Sequence, residues 1–250
     1  MSIETAFDPH SRAVIDPAKT HIRRPFTLSA CIVNFSYHIM DALKQAGIIE
    51  LKEKEAVRFV SCALDLYTVR GTDIGVIQTQ VGAPFTVSLI EDAAFSFGCR
   101  KFILFGSCGA LDKGLTAGRI IVPTYAYRDE GVSYHYAPAA DYIRMRNADF
   151  VFDTLSALHI PCVQGRTWTC DAFFRETEGN MQKRKAEGCI AVEMEVAGVQ
   201  AVCDFYGLEL YDFLEAGDVL EASGYQVEGL TKANHDLGKL YVALETALRI

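Results

Sequence analysis

The sequence is short of positive charge. Lys and Arg number 24 against 32 Asp and Glu, for a formal net charge of -8 at neutral pH. A phosphate backbone is gripped by clustered cations, so this balance excludes nucleic acid as a partner, although a small anion needing only a few donors stays possible. Long apolar runs are missing as well. No stretch approaches the length of a membrane span. The first twenty residues are polar, with Glu4, Asp8 and Asp16 where a signal peptide would carry a basic start and an apolar run. These absences predict a soluble, cytoplasmic protein with no membrane partner. Cysteine is not scarce, at eight residues, but no two form a CxxC pair and most sit inside apolar runs. The expectation is reduced, buried thiols, with no disulfide framework, zinc site or other metal. Also missing are GxGxxG, the GK[ST] ending of a phosphate loop, and the GxSxG of a nucleophile elbow.

What is present is a chain that is half apolar and 22% charged, 250 residues long. That allows one large α/β domain or two small ones. No repeat, low-complexity tract or linker divides it, so the expectation is an irregular arm over residues 1–28, holding Pro9, Pro17 and Pro25, and a single domain over residues 29–250. Apolar runs predict strands at 29–35, 57–64, 74–81, 101–105, 119–123, 162–169, 189–192 and 208–216. Helical spacing and Gly or Pro punctuation predict helices at 37–46, 84–97, 147–158, 179–187, 196–206 and 230–249. Strands alternating with helices imply an α/β fold: a central mixed, mostly parallel sheet flanked by helices. Ligands of such sheets collect at the carboxyl ends of strands.

Three predicted strand ends carry small or acidic residues. At Val192-Glu193-Met194-Glu195-Val196-Ala197-Gly198 two carboxylates flank a methionine where an apolar run meets a helical pattern. Buried carboxylates need polar partners. A sugar with vicinal hydroxyls supplies them, and a thioether covers the ring's apolar face; alternatively both acids simply suit a helix's first turn. Gly106-Ser107-Cys108-Gly109 offers close backbone approach and a hydroxyl donor for an anion, or a plain tight turn. Cys108 is also a candidate nucleophile, with no histidine near it in sequence. Leu214-Glu215-Ala216-Gly217-Asp218 ends a strand with an acid that either protonates a leaving ring nitrogen or caps a helix. Asp171-Ala172-Phe173-Phe174-Arg175 offers two aromatics for a flat ring or for the core. The polar, aromatic segment from Tyr127 to Tyr136 reads as a pocket wall and interface loop or a solvated hairpin.

Taken together and in order, Val81-Gly82-Ala83-Pro84, Gly106-Ser107-Cys108-Gly109-Ala110-Leu111, the Arg128-to-Tyr136 block, the Thr169-to-Thr177 block and Val192-Glu193-Met194-Glu195 resemble the nucleoside phosphorylase / uridine phosphorylase superfamily, which also holds nucleosidases. The resemblance implies a nucleoside and phosphate as small-molecule partners. Met194 and Glu195 would bind the ribose, with Glu195 on its 2′ and 3′ hydroxyls. Phe173, Cys108 and Gly109 would lie at the base. Ser107 would donate to phosphate. Asp218 would protonate a purine nitrogen, and Glu193 would be the second catalytic carboxylate. It implies no cofactor beyond phosphate as co-substrate, and a homo-oligomer, dimer or trimer of dimers. Breaking an N-glycosidic bond puts positive charge on the sugar and negative charge on the base, so carboxylates at one and an acid at the other fit the chemistry.

The chain departs from the family at the anion. The Pro-Gly-Asp-Pro turn after the first strand, followed by an arginine, is replaced by Val33-Asn34-Phe35-Ser36-Tyr37-His38. The arginine two residues before the Gly-Ser loop is replaced by Leu104. Arg128, Arg175 or a neighbouring subunit would then have to hold phosphate. The Gln-x-Arg that grips a pyrimidine after Phe173 is also absent; Glu176, Thr177, Glu178 and Gly179 stand there. The resulting expectation is a nucleoside phosphorylase acting on a purine nucleoside or uridine. The alternatives are a nucleosidase using water and a non-catalytic nucleoside-binding protein.

Overall fold

The computed structural model describes residues 3–221 and 224–250. Its strands are β1 (Ala30–Asn34), β2 (Ile49–Arg58), β3 (Ala63–Val69), β4 (Ile74–Gln78), β5 (Lys101–Ala110), β6 (Ile120–Asp129), β7 (Tyr142–Arg144), β8 (Cys162–Cys170), β9 (Cys189–Glu193), β10 (Glu209–Glu221) and β11 (Gly224–Gln226). Its α-helices are α1 (Pro17–Thr20), α2 (Tyr37–Gln45), α3 (Ala83–Phe97), α4 (Lys113–Thr116), α5 (Ser133–Tyr136), α6 (Ala148–Ala157), α7 (Glu178–Ala186), α8 (Val196–Tyr206), α9 (Leu230–Asn234) and α10 (Leu237–Ala247).

These strands form one mixed sheet, ordered β11-β10-β6-β8-β9-β5-β1-β4-β3-β2, with β7 paired to Tyr125, Ala126 and Tyr127 of β6. Its two longest ladders, β5–β10 and β6–β8, are parallel. Because β10 pairs with β5 as well as with β6, the strands β5, β10, β6, β8 and β9 close into a ring. The expected α/β sheet flanked by helices is therefore present. β1 (ACIVN) and β9 (CIAVE) are buried at every position, as strands covered on both faces must be. Pro84 stands in the first turn of α3, and Gly98 and Gly207 end α3 and α8 in the left-handed conformation, where a side chain would clash and glycine does not. His21 Nε2 reaches Asp92 of α3 at 2.7 Å, tying the N-terminal residues to the domain.

Four departures from the expected elements have clear causes. The single strand expected at 57–64 is a hairpin, with Phe59 N–H bonded to the Cys62 carbonyl at 2.8 Å between β2 and β3. β2 is an edge strand laced with Lys and Glu and mostly exposed; such charge blunts an edge but hides the strand's apolar alternation. β10 does not stop at Gly217. It passes through a bulge between Ala216 and Asp218 and continues to Glu221, so Asp218 lies within a strand and caps no helix. Likewise Gly106-Ser107-Cys108-Gly109 is not a turn but the end of β5, held by β10 on one side and β9 on the other. The last expected helix is split, with Asp236 capping α10 through its side chain.

Candidate active site

β9 ends at Glu193, and α8 begins at Val196. Glu193 Oε2 accepts the backbone N–H of Glu195 and of Val196, each at 2.7 Å; Oε1 accepts the Thr169 hydroxyl at 2.6 Å and that of Thr167 at 3.3 Å. The side chain therefore satisfies the start of α8 and bolts it to β8. Glu195 turns the other way. Its Oε1 accepts Gly82 N–H at 2.6 Å, and Ala83 N–H donates to the Met194 carbonyl at 2.9 Å. The Val81-Gly82-Ala83-Pro84 turn is thus clamped onto Glu193-Met194-Glu195. Gly82 stands at φ +106°, a conformation that L side chains rarely adopt.

A cavity of about 250 Å³ opens over this junction. Its wall takes Ser107, Cys108 and Gly109 from β5, Glu193, Met194 and Glu195 from the β9–α8 junction, and Asp218 from the β10 bulge. Phe173 and Glu176, from the segment after β8, complete one side, with Tyr225 and Leu230 across from them. The β5 floor must be thin: a Cβ on Gly109 would lie 2.6 Å from Leu220 Cδ1 and 2.9 Å from Val192 Cγ1. Phe173 and Tyr225 meet edge to face with centroids 6.2 Å apart, and Tyr225 hydrogen-bonds the Asp218 carboxylate.

Among the described residues four carboxylates line this cavity, and no lysine or arginine does. Burial is the largest influence on each. It lifts Glu193 to about 7 against its four donors, and Glu195 to about 8 with help from the Glu193 charge. Glu176 rises to about 7, with Asp218 and Glu193 adding to burial. Asp218 is raised too, with the Tyr225 hydroxyl pulling the other way. Such a lining offers an anion no cation. It suits a neutral ligand rich in O–H and N–H donors, with a flat ring for Phe173 and a methionine beneath its sugar face.

Comparison with known proteins identifies the family. The model of the phosphorylase superfamily matches residues 29–214, most of the chain. The chain belongs to the phosphorylase superfamily. Purine nucleoside phosphorylases of the DeoD type from Bacillus cytotoxicus and from Bacillus thuringiensis are each 27% identical over 157 residues. Those matches cover 60% of this chain and 66% of each relative, so the chain spans a little under two thirds of the curated relatives' length. A crystal structure of purine nucleoside phosphorylase from Toxoplasma gondii in complex with immucillin-H superposes with a TM-score of 0.69 at 19% identity, over 90% of this chain and 92% of that one. That likeness is one of fold.

Within this phosphorylase-superfamily fold, most of the residues singled out from sequence converge. Ser107, Cys108, Gly109, Phe173, Glu193, Met194, Glu195 and Asp218 all line the one cavity. The two arginines do not. Arg128 is buried and turned to its own segment: Nε donates to Ser133 Oγ at 2.7 Å, Nη1 to the Pro138 carbonyl at 2.6 Å and Nη2 to the Ala137 carbonyl at 3.3 Å. It organises the segment around α5 and does not line the cavity. Arg175 is exposed and outside the lining. Ser107 Oγ itself donates to the side chain of Asn234. Leu104, where the family has arginine, is core. The thiol of Cys108 is pushed far up by burial and by the Asp218 and Glu193 charges, which removes it as a nucleophile. Among the described residues no group of side chains is placed to hold a metal, and no helix is long and apolar enough to cross a membrane.

Sequence reasoning missed Glu176, Tyr225, Leu230 and a buried cation, Lys239. Lys239 Nζ sits under the β5 floor, bonded to the Gly106 carbonyl at 3.4 Å, to the Ala233 carbonyl, and to Glu215 at 3.3 Å. Glu176 had a signal, standing where a pyrimidine-reading residue was expected. The others reach the site from across the fold and gave none.

The raised carboxylates couple stability to pH. Glu193 and Glu195 keep their protons in the folded chain up to about 7 and about 8, whereas an ordinary Glu releases its proton near 4.5. Between those limits the folded state binds more protons than the unfolded, so stability falls as pH rises. The thermal midpoint of the ligand-free protein is expected to drop on going from about pH 5 to about pH 8, and Glu195→Gln should flatten that slope. A midpoint that climbs over this window would contradict the assignment.

Proposed function

We propose that the cavity cleaves the N-glycosidic bond of a purine ribonucleoside, with phosphate as co-substrate, releasing free base and ribose 1-phosphate. The observation that carries the reading is that Glu195 and Asp218 line one and the same cavity. Glu195 and Met194 take the ribose, the 2′ and 3′ hydroxyls donating to the carboxylate. Phe173 takes a face of the base, over the thin floor at Cys108 and Gly109. Asp218, held toward its protonated form by burial, gives its proton to N7 as the base leaves. Glu193, with its four donors, is a positioning residue that fixes Glu195.

Purine is favoured over uridine by Asp218, by the missing Gln-x-Arg after Phe173, and by the names of the relatives. Phosphate as acceptor is supported by those names, and its missing cations would come from a second copy of the chain in a homo-oligomer. The cytoplasm, where nucleosides and phosphate meet, is the compartment this reading implies. Hydrolysis is the second reading, favoured by one specific observation: no lysine or arginine lines the cavity. Incubation of a purine ribonucleoside with and without phosphate, with identification of the sugar, separates the two. Phosphorolysis gives ribose 1-phosphate and stops without phosphate; base release that continues unchanged in phosphate-free buffer, with free ribose as product, shows hydrolysis.

A further inference from the structure

Beside the cavity lies a second hollow of about 360 Å³, larger than the first. Phe173, Glu176 and Tyr225 line both, so the two share a wall. Beyond that wall the lining gains the apolar side chains of Phe174, Met181 and Leu220. Phe174 is 90% exposed and leans edge-on against Phe173 with centroids 5.1 Å apart. None of Val81, Met194 and Glu195 reaches this hollow. A group that enters it is therefore attached to the base and not to the ribose.

We propose that this hollow is a subsite for an apolar substituent on the exocyclic amine of a purine nucleoside. The inference rests on the reading of the main cavity given above and adds the class of substrate. In a purine, N7 and the group on C6 share one edge. An acid at N7 places the C6 substituent beside Tyr225, which bonds that acid and lines the hollow. A secondary amine at C6 keeps one N–H for Glu176 on the shared wall while its carbon substituent lies over the Phe173–Tyr225 contact and reaches Phe174, Met181 and Leu220. Glu178 and Glu221 on the rim disfavour an anionic group there, so the substituent is neutral: an alkenyl or benzyl group and not a phosphorylated chain.

The test compares base release from adenosine, N6-benzyladenosine and N6,N6-dialkyladenosine by the full chain. N6-benzyladenosine is expected to exceed adenosine in kcat/KM by about tenfold, the scale on which an apolar pocket discriminates. The dialkyl compound, lacking the N–H for Glu176, loses that advantage. Phe174→Ala should reduce the ratio of benzyl to parent kcat/KM about fivefold, and Phe174→Tyr should keep it. Cleavage of adenosine with the benzyl compound equal or slower overturns this inference and leaves the main reading intact. No release from any of the three overturns both. Dissociation of an assembly by Phe174→Ala, seen by sedimentation, would mark the hollow as a contact between copies of the chain and also overturn the inference.

Discussion

Glu195→Ala is expected to lower kcat/KM for a purine ribonucleoside about a thousandfold, because two hydrogen bonds from ribose hydroxyls, which draw this carboxyl from its protonated form in the ligand-free cavity into its ionised form, are lost together at about 1.5–3 kcal/mol each. The loss should divide between KM and kcat, since the carboxylate both binds the diol and faces the charge that grows on the sugar. The variant should also become nearly indifferent to the 2′ hydroxyl, cleaving ribo- and 2′-deoxyribonucleosides at similar rates, where the wild type prefers the ribose. The fold should survive, for the chief partner lost is one backbone N–H, that of Gly82, and a shortened side chain leaves room for water to meet it. Steady-state kinetics on both sugars checks this. A variant within fivefold of the wild type would place the ribose elsewhere.

Asp218→Asn is expected to lower kcat about a hundredfold or more on an ordinary purine nucleoside, the range in which a positioned general acid contributes. An amide has no proton to give to N7. A 7-methylated purine nucleoside needs none, because its base already leaves as a neutral species, so the variant should cleave that substrate at close to the wild-type rate. The contrast separates acid catalysis from a merely structural role, since damage to the cavity would slow both substrates alike. The pH profile carries the same information. Wild-type kcat should fall at high pH as Asp218 loses its proton, whereas the profile on the 7-methylated substrate should lack that fall. Equal losses on both substrates would remove Asp218 as the acid.

The parts of this site that were legible in the sequence are those where local chemistry conflicts with local burial. Glu193 and Glu195 announce themselves because an apolar strand should not end in carboxylates without partners, and the structure supplies partners in Thr167, Thr169 and Gly82. Asp218 was legible as a residue but not as a strand position. Gly217 reads as a turn, and only the β5–β10 ladder, which sequence does not show, carries the chain through it as a bulge. Arg128 misled for a related reason. Its charge suggests an anion site, yet its donors go to carbonyls nine and ten residues ahead and to Ser133, an arrangement set by how the segment folds back. Tyr225 and Leu230 join the site because β11 and α9 fold over the ends of β5 and β10, and Lys239 of α10 reaches the Gly106 carbonyl from outside the cavity lining; no local pattern encodes that closure.

The most direct test is a crystal structure with a purine C-nucleoside, whose carbon–carbon link to the sugar does not cleave. The account predicts the ligand in the cavity of about 250 Å³, its 2′ and 3′ hydroxyls on Glu195, its ring against Phe173 and N7 within hydrogen-bond reach of Asp218. A ribose turned toward Asp218, or a ligand bound anywhere that leaves Glu195 untouched, would contradict it.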